Sequence, residues 1–492
     1  MILLESSVET MNFWDYSIWD FVVQISIILL AIVLSNIARR KIKFIRNSLL
    51  PASVIGGVLI FALKFIPYVQ DVINNRFMEA LTYHCLGLGF IAITLKSGNK
   101  NKDKNKAVVI DSGMVVINNY LVQALVGLAI TIPLYLFVSD KVFYAAGLLL
   151  PMGYGQGTGQ ALNFGNIFES LGFEGGASFG LSIAAIGFLV ACIVGVVFLN
   201  VLKKKGKLEV QMARKEASSS LDTSNIYKDD EAPLNESVDK ITIQFAAIFG
   251  VYIFTFLFIY GFSWLAENYM GNFGVNTLKP LLWGFNFLFG TLFAMILKKI
   301  IARTKAAKLM THTHINDYFM NRLSGFFFDV MIVSGIAAIN WQDLKGLLWP
   351  LLLVCILGAA ATFLYTYFIC KKVYPEYPYE AFFSMFGMLT GTASTGMILL
   401  REIDPNYETP AADNLVLQQV PAIAFGAPVL LTMTFAAQKI NNTFIVLGLF
   451  ALLFIVYNLI LLRGHIFKKK KKANVVDKAA EEVAAPQEAN SD

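Results

Sequence analysis

Long apolar runs separated by short polar loops recur along the whole chain. The strongest lie near residues 17–38, 108–138, 177–202, 240–266, 343–370 and 443–462. Each is longer than the roughly 18 apolar residues with which an α-helix crosses a bilayer, and about eleven such segments can be counted. The pattern predicts an all-α polytopic membrane protein.

Composition supports the same class. Charged residues make up 15% of the chain, against about 25% in an ordinary soluble protein. Hydrophobic residues make up 56%, and the mean hydropathy is +0.61. The first apolar run is too long for a secretory signal peptide and lacks a small-residue cleavage site, so it is predicted to be a span.

The basic residues predict the orientation of the spans. Five basic clusters lie at residues 39–46, 96–106, 203–207, 298–308 and 463–472. Cytoplasmic loops carry an excess of lysine and arginine, so all five clusters are predicted to be cytoplasmic, with the N-terminus outside and the C-terminus inside. Membrane lipid is the expected partner of these clusters, and nucleic acid is not.

Two segments rich in glycine and threonine interrupt the apolar pattern. One is Pro151–Gln160 and the other is Leu389–Gly396. Hydrocarbon tolerates a break in a helix only where the break is buried in protein or lines a cavity. Paired breaks at matching places in two halves of a chain indicate a transport site.

The charge pattern predicts that each break is the tip of a re-entrant hairpin. A full crossing at 143–168 would place the acidic stretch 169–174 inside and the lysines 203–205 outside, whereas a hairpin entering from the outer face avoids both. We therefore predict two inverted-topology repeats, each of about five spans plus one re-entrant hairpin, with an extra C-terminal span. The predicted order is a first repeat at 1–202 with its hairpin at about 143–168, a cytoplasmic linker at 203–239, a second repeat at 240–436 with its hairpin at about 376–401, the extra span at 437–463 and a cytoplasmic tail at 464–492.

The chemistry of such tips suits a carboxylate and a hard cation. The start of each second half-helix offers free N–H groups and about half a positive charge to a carboxylate. Unwound carbonyls and side-chain oxygens offer ligands to sodium. The side chains concerned are Gln156, Thr158, Thr392, Ser394 and Thr395. The alternative is that small residues only let helices pack closely.

The order and residues of these segments resemble the bacterial sodium/glutamate symporter family. Its halves carry a G-H-G-T-G hairpin and a G-A-T-P-T-A hairpin, which look like Gly155–Gly159 and Gly391–Gly396, and its P-E-P-V-x-G-G motif looks like Pro51–Gly57. The resemblance covers roughly residues 17–436. It implies sodium-coupled uptake of glutamate across the bacterial inner membrane, with a homodimer as an expected assembly and no cofactor besides sodium as coupling ion.

The chain departs from the family motifs at three positions. Gln156 replaces the histidine of the first tip, Ser394 replaces the proline of the second, and Ala52 replaces the glutamate after Pro51. Each exchange changes polar chemistry or backbone shape. The predicted substrate is therefore glutamate or a related small carboxylate.

The predicted site combines the two tips with polar groups inside the spans. The predicted substrate-binding residues are Gly155, Gln156, Gly157, Thr158, Gly159, Gly391, Thr392, Ala393, Ser394, Thr395 and Asn119. Asp329, Thr158 and Thr392 are the predicted sodium ligands. Asp329 follows Arg322 by seven residues, about 10 Å of helix, so it lies deep in the bilayer and is expected to bind sodium or carry a proton. A neutral, hydrogen-bonded structural aspartate is the alternative.

Other intramembrane polar residues leave two interpretations open. Asn119, with Asn118 and Gln123, can bind substrate or bridge helices, and His84 can be functional or simply a packed, hydrogen-bonded residue. Lys64 lies near a span end, as does Asp111, and both are expected to snorkel towards water.

Two other functional classes compete with a symporter. A cation channel could use Gly153–Tyr154–Gly155 as a carbonyl filter, although a potassium filter needs four equivalent loops. A membrane enzyme is disfavoured because the chain has no HExxH, no GxSxG and no Walker lysine. The four cysteines and four histidines form no metal-ligand spacing.

The predicted orientation can be tested by cysteine labelling. A cysteine introduced at Ser219 in a cysteine-free background is expected to react with a membrane-impermeant maleimide only after permeabilisation, because the linker is predicted to be cytoplasmic. A cysteine at Glu174, in a loop predicted to lie outside, serves as the control and should react in intact cells. Labelling of position 219 in intact cells would contradict the inverted repeats.

Overall fold

A computed structural model describes residues 13–43, 45, 49–96, 106–139, 141–206, 239–271, 274–308, 314–404 and 409–463. Within these residues the chain is helical and contains no β-strand. Most of the predicted linker and the whole of the predicted tail at 464–492 lie outside the described residues. The predicted all-α class is confirmed.

The helices follow one another in a similar order in each half. The first half contains α1 (Tyr16–Lys41), α2 (Ala52–Leu63), α3 (Pro67–Val72), α4 (Asn75–Leu95), α5 (Lys106–Phe137), α6 (Leu149–Gln156), α7 (Thr158–Ser170) and α8 (Gly176–Lys204). The second contains α9 (Lys240–Tyr269), α10 (Lys279–Gly284), α11 (Asn286–Ala306), α12 (Asp317–Ala338), α13 (Leu348–Val373), α14 (Pro378–Thr390), α15 (Ala393–Arg401), α16 (Ala411–Leu417), α17 (Gln419–Gln438) and α18 (Ile440–Leu461).

Eight of the described helices are long and apolar enough to cross a membrane, which confirms a multi-pass protein. They are α1, α4, α5, α8, α9, α12, α13 and α18. Three further predicted segments correspond to α2, α11 and α17 and do not reach that length or apolarity. Helix α2 has only 12 residues because Pro51 precedes it and the chain turns after Leu63.

Helices α4 and α12 pack closely against each other, and they are antiparallel. Near one end the Thr82 and Ser334 hydroxyls are 2.9 Å apart, and near the other Lys96 Nζ donates to Asn321 Oδ1 at 3.4 Å. The residue number therefore rises along one helix as it falls along the other. A β-carbon at Gly89 would lie 2.8 Å from the Phe328 ring, so glycine is needed for this close approach.

Helices α5 and α13 form a second antiparallel pair, joined by two buried hydrogen bonds. Thr366 Oγ1 donates to Asn119 Oδ1 at 2.8 Å, and Gln123 Nε2 donates to Thr362 Oγ1 at 3.0 Å. Position 362 follows 119 by as many residues as 366 follows 123, so 119 corresponds to 362 and 123 to 366. Each bond therefore joins a residue of one corresponding pair to a residue of the other. A two-fold relation between the halves would produce contacts of this kind.

Lys64 binds the end of a helix in the other half. Its Nζ donates to the carbonyl oxygens of Ala337 and Ile339, each at 2.9 Å, and to Asn75 Oδ1 at 2.8 Å. The last carbonyls of a helix lack intrahelical partners and carry partial negative charge, so they attract a lysine amine. The expectation that Lys64 snorkels to water is therefore wrong.

Lys298 of α11 makes the matching contact at the end of α4. Its Nζ donates to the carbonyl oxygen of Thr94 at 3.3 Å and to that of Lys96. Thr94 precedes Ala337 by as many residues as Lys96 precedes Ile339, so the two lysines bind carbonyls at corresponding positions of the two halves. Because α4 and α12 are antiparallel, the two lysines lie at opposite ends of the pair.

The C-terminal helix α18 is tied to α5 and α13. Arg463, just beyond it, makes a two-pronged contact with Asp111 of α5, at 2.9 and 3.4 Å, and Tyr365 of α13 donates its hydroxyl proton to Asn458 Oδ1 at 2.9 Å. Asp111 is therefore paired with a cation instead of snorkelling alone.

The two lysine contacts yield a stability prediction. Lys64→Met and Lys298→Met keep the apolar stem but leave helix-end carbonyls without their charged donor, so each is expected to lower the free energy of unfolding by about 1.5–3 kcal/mol. Thermal unfolding of the purified protein in detergent measures the effect. Lys279→Met is the control, because its ion pair with Glu267 is exposed and worth little. A loss no larger than that of the control would contradict the clamping role.

Candidate transport site

The first Gly/Thr segment is a helix–turn–helix hairpin made of α6 and α7. Its turn is Gly157, with φ 79° and ψ −169°. An L-residue with a side chain rarely adopts this backbone conformation, so glycine is required there. The hairpin was predicted at about 143–168, and its helices span 149–170.

The second segment is a hairpin made of α14 and α15. Pro378 begins α14, where its fixed φ suits the first turn and its missing N–H costs nothing. The turn consists of Gly391 and Thr392, and Thr392 is extended, with φ −139° and ψ 171°. Its helices span 378–401, close to the predicted 376–401.

The two turns meet, with Gly157 and Gly391 buried, Thr392 half-buried and Ala393 exposed. A β-carbon at Gly157 would lie 3.6 Å from Thr392 Cγ2 and 3.9 Å from the Gly391 carbonyl oxygen. These are ordinary van der Waals distances, so the tips from the two halves touch. The structure thus brings together the two tip motifs of the predicted site.

Two helices begin where the tips meet. The first bond that closes α7 runs from Ala161 N to the Gly157 carbonyl at 3.1 Å, and the first in α15 runs from Gly396 N to the Thr392 carbonyl at 3.0 Å. The N–H groups that precede these bonds have no partner within their helices. Two positive helix ends therefore converge at one place, which favours an anion.

One turn of α5 holds both hairpins. Tyr120 donates its hydroxyl proton to the Gly155 carbonyl at 3.0 Å, and Gln123 Nε2 donates to the Leu389 carbonyl at 2.9 Å. Sequence reasoning did not select Tyr120. Tyr120 directly follows two asparagines in an apolar span, and this position could have marked it as a candidate.

The predicted glycines differ in what the structure requires of them. A β-carbon at Gly155 would lie 2.1 Å from the Tyr120 ring, and one at Gly159 would lie 2.7 Å from Leu86. These two glycines allow close packing, as the alternative interpretation expected, whereas Gly157 makes the turn.

Thr158 and the threonines of the second tip lie at or beside the turns. Thr158 is buried and donates its hydroxyl proton to the Met331 carbonyl of α12 at 3.3 Å. The Thr392 and Thr395 hydroxyls are 3.5 Å apart. Ala393 is the first residue of α15, and the side chain of Ser394 lies outside what the structure describes.

Asn119 bridges helices. Its Nδ2 donates to the Val115 carbonyl at 2.9 Å, and its Oδ1 accepts from Thr366. Both ends of its amide are engaged in the structure, which corresponds to the bridging alternative.

Asp329 lies apart from the tips. Met331 and Gly335 of α12 face Thr158, and two residues turn a helix by about 200°, so Asp329 points to another side. Asp329 is exposed at the surface of the chain, and its carboxylate lies near Ser53 at the start of α2. The structure does not bring Asp329 together with Thr158 and Thr392.

His84 borders an open cavity of about 560 Å³ between α4, α7 and α10. Its Nδ1 is 2.7 Å from the Tyr252 hydroxyl, so the ring is hydrogen-bonded. Arg76, Glu79 and Asn166 also line the cavity. Asn163, which also lines the cavity, lies on α7 five residues beyond Thr158, so the cavity begins within two helical turns of the first tip.

The segment Gly153–Tyr154–Gly155 is part of helix α6. Tyr154 is buried, and its hydroxyl donates to the Cys355 carbonyl at 2.9 Å. A carbonyl filter needs unwound backbone facing a pore. The helical conformation gives no support to the channel alternative.

Gln160 is a further polar group near the first tip. It is 1% exposed, and neither Nε2 nor Oε1 has a hydrogen-bond partner. An unsatisfied buried polar group costs about 1–3 kcal/mol, so its presence needs an explanation. Gln160 belongs to the segment that the sequence singles out, but sequence reasoning did not select it, because burial and missing partners are visible only in three dimensions.

In the described part of the chain, eight apolar helices of membrane-spanning length and two touching helix breaks define a polytopic membrane protein. The sequence model of the sodium/glutamate symporter family matches residues 18–395, well over half of the chain. The chain therefore belongs to that family, which indicates sodium-coupled transport. None of the curated proteins compared with the chain matches it.

The separation of Asp329 from the tips gives a prediction about sodium binding. If both Asp329 and Thr392 contribute to coupling, Asp329→Asn and Thr392→Val are each expected to raise the sodium concentration for half-maximal uptake. Because the two groups cannot share one ion in this geometry, the double variant should show the product of the two single effects. The measurement is uptake as a function of sodium. If the double variant needs no more sodium for half-maximal uptake than the more impaired single variant, both residues act on one ion.

Proposed function

We propose that the protein is a sodium-coupled secondary symporter that imports glutamate or a related small carboxylate. The substrate is held between two re-entrant hairpins, and the site opens alternately to each side. The observation that carries the proposal is the contact between the turns at Gly157 and at Gly391–Thr392. A break of this kind inside hydrocarbon is expected to serve a binding site.

The substrate carboxylate is assigned to the starts of α7 and α15. Their free N–H groups and partial positive charges suit an anion. Sodium is assigned to oxygen atoms of the turns, with Thr158 and Thr392 as the side-chain ligands. Asp329 is assigned a separate role as sodium ligand or proton carrier, since an intramembrane carboxylate requires a cation or a proton to offset its desolvation.

Alternating access follows from halves of opposite orientation. The reciprocal bonds of α5 with α13, and the matching contacts of Lys64 and Lys298, support the inverted repeats. We propose that the hairpins enter from opposite faces of a bacterial plasma membrane, with the N-terminus outside, the C-terminus cytoplasmic and two copies of the chain forming a homodimer. Access to the tips from either face would then need only relative movement of the repeats.

The tip threonines provide the test. Thr158→Val and Thr392→Val keep the shape of the side chain but remove an oxygen. Each is expected to raise the sodium concentration for half-maximal uptake into liposomes by about tenfold, equivalent to roughly 1.4 kcal/mol. Thr158→Ser and Thr392→Ser keep the oxygen and should retain coupling.

A buried threonine far from the tips serves as the control. Thr443 of α18 donates to the Ala436 carbonyl at 2.8 Å, so Thr443→Val removes a comparable hydroxyl. Its sodium dependence should match wild type. Unchanged sodium dependence in both tip valine variants would assign the tips to packing alone, and an ohmic sodium current without saturable uptake would indicate a channel.

A further inference from the structure

The cavity beside His84 is lined by one face of α4 and one face of α7. The lining residues follow the spacing i, i+3, i+7 on each helix, which places them along a single side. On α4 they include Arg76, Glu79 and Tyr83, and on α7 they include Asn163, Asn166 and Ser170. The volume of about 560 Å³ is typical of a small-molecule site.

Two hydrogen bonds fasten both helices to the end of α10, which forms the third wall. The Tyr83 hydroxyl donates to the Trp283 carbonyl at 2.7 Å, and Asn163 Nδ2 donates to the Gly284 carbonyl at 3.0 Å. The last carbonyls of a helix have no intrahelical partner, so they accept bonds of this kind. The walls of the cavity are therefore held in place by the protein itself.

Arg76 and Glu79 carry opposite charges one helical turn apart on the lining of the cavity. Residues at this spacing commonly pair, yet within the described part of the chain neither side chain makes a hydrogen bond or an ion pair. Glu169 and Asp343 add negative charge near Glu79, and each already accepts a hydrogen bond from the protein. The lining thus presents one cationic and one anionic group that can each bind a ligand.

A zwitterion satisfies both groups. An arginine guanidinium binds a carboxylate through two parallel hydrogen bonds, and a glutamate carboxylate accepts hydrogen bonds from an ammonium group. A ligand with carboxylates alone would be attracted by Arg76 but repelled by Glu79 and its acidic neighbours. The second carboxylate of a dicarboxylic amino acid can accept from the Asn166 amide on the α7 wall.

The cavity lies between a predicted outer loop and the first tip. Ser170 ends α7 next to the loop of Glu174, which is predicted to lie outside, and Asn163 is five residues, about 8 Å, beyond Thr158. Gln160, whose amide has no partner, lies one turn nearer the tip on the same face of α7 as Asn163. The polar face of α7 thus continues from the cavity towards the tip.

We infer that this cavity is an outer binding site for α-amino acids, in which Arg76 binds a carboxylate and Glu79 binds the ammonium group. The site receives the substrate before it reaches the tips. The inference rests on the proposed function for the direction of transport, and it narrows the substrate class to carboxylates that carry an ammonium group. Because sodium is assigned to groups outside the cavity, binding there is expected to need no sodium.

Protection of an introduced cysteine reports occupation of the cavity. Ala80 is exposed and lines the cavity beside Glu79. In a cysteine-free background Ala80→Cys is expected to react with an impermeant maleimide, and saturating L-glutamate should slow this reaction about tenfold in choline medium without sodium. Glu174→Cys, outside the cavity, is the control and should react equally fast with and without L-glutamate. No protection of Ala80→Cys, up to concentrations that saturate uptake, would overturn the inference.

Glutarate tests the role of Glu79, because it has the two carboxylates of L-glutamate but no ammonium group. With Glu79 present, half-maximal protection should need about tenfold more glutarate than L-glutamate. Glu79→Gln should abolish this preference, and Arg76→Gln should weaken protection by both ligands about tenfold. Asp71→Asn removes an exposed carboxylate of α3 outside the cavity, so it is the matched control and should keep the preference. An unchanged preference in Glu79→Gln would contradict the assignment.

Uptake separates this inference from the proposed function. Arg76→Gln should raise the L-glutamate concentration for half-maximal uptake by about tenfold and leave the sodium dependence unchanged. The tip variants Thr158→Val and Thr392→Val should instead change the sodium dependence and leave the protection of Ala80→Cys intact. Protection without sodium-driven uptake would refute the proposed function and support the inference, and sodium-driven uptake without protection would do the reverse.

A lipid headgroup with a phosphate and an ammonium group is the competing occupant. Liposomes of phosphatidylethanolamine and of phosphatidylcholine separate the two sources, because the quaternary ammonium of phosphatidylcholine cannot donate a hydrogen bond to Glu79. We expect L-glutamate to slow the labelling of Ala80→Cys in both. Slower labelling in phosphatidylethanolamine, with no response to L-glutamate, would assign the cavity to lipid and overturn the inference.

Discussion

The membrane interior offers no water to a broken helix, so every backbone group at a break must be satisfied by protein or by a ligand. At the two tips these groups are treated unequally. Carbonyls beside the turns accept hydrogen bonds from Tyr120 and Gln123, whereas the N–H groups at the starts of α7 and α15 have no partner within their helices. The point where the turns meet is therefore rich in hydrogen-bond donors. Its geometry depends on the contacts that position the two turns relative to each other.

The relative position of the two turns depends on contacts between the two halves of the chain. Asn119 and Gln123 each bond to a threonine of α13, and Lys64 and Lys298 each bind the end of a helix from the other half. Because equivalent contacts occur twice, the lysine contact at one end of the α4–α12 pair has a counterpart at the other end. Two structurally related halves of opposite orientation would produce such a paired arrangement.

The class, the order of the helices and the two breaks could be predicted from the sequence, because apolar length and glycine punctuation are local signals. The partners of intramembrane polar residues could not. Lys64 looked like a residue at a span end, yet it binds carbonyls more than 270 positions away. Asp329 and Thr158 looked like ligands of one ion, but their relative direction depends on the rotation of α12 about its axis, which spacing alone does not fix. Neither amide atom of Gln160 has a hydrogen-bond partner, and the sequence carries no sign of this.

The chemistry of the tips also restricts where a proton could be carried. Residues 149–168 and 381–400 contain no acidic residue, no basic residue and no histidine, since Gln156 stands where the family motif has histidine. Substrate contacts at the tips would then be insensitive to pH over the range in which histidine titrates. If transport responds to pH in that range, the response has to arise away from the turns, at groups such as Asp329 or His84. Geometry separates Asp329 from the helix starts, so a proton there would not contact the groups at the turns.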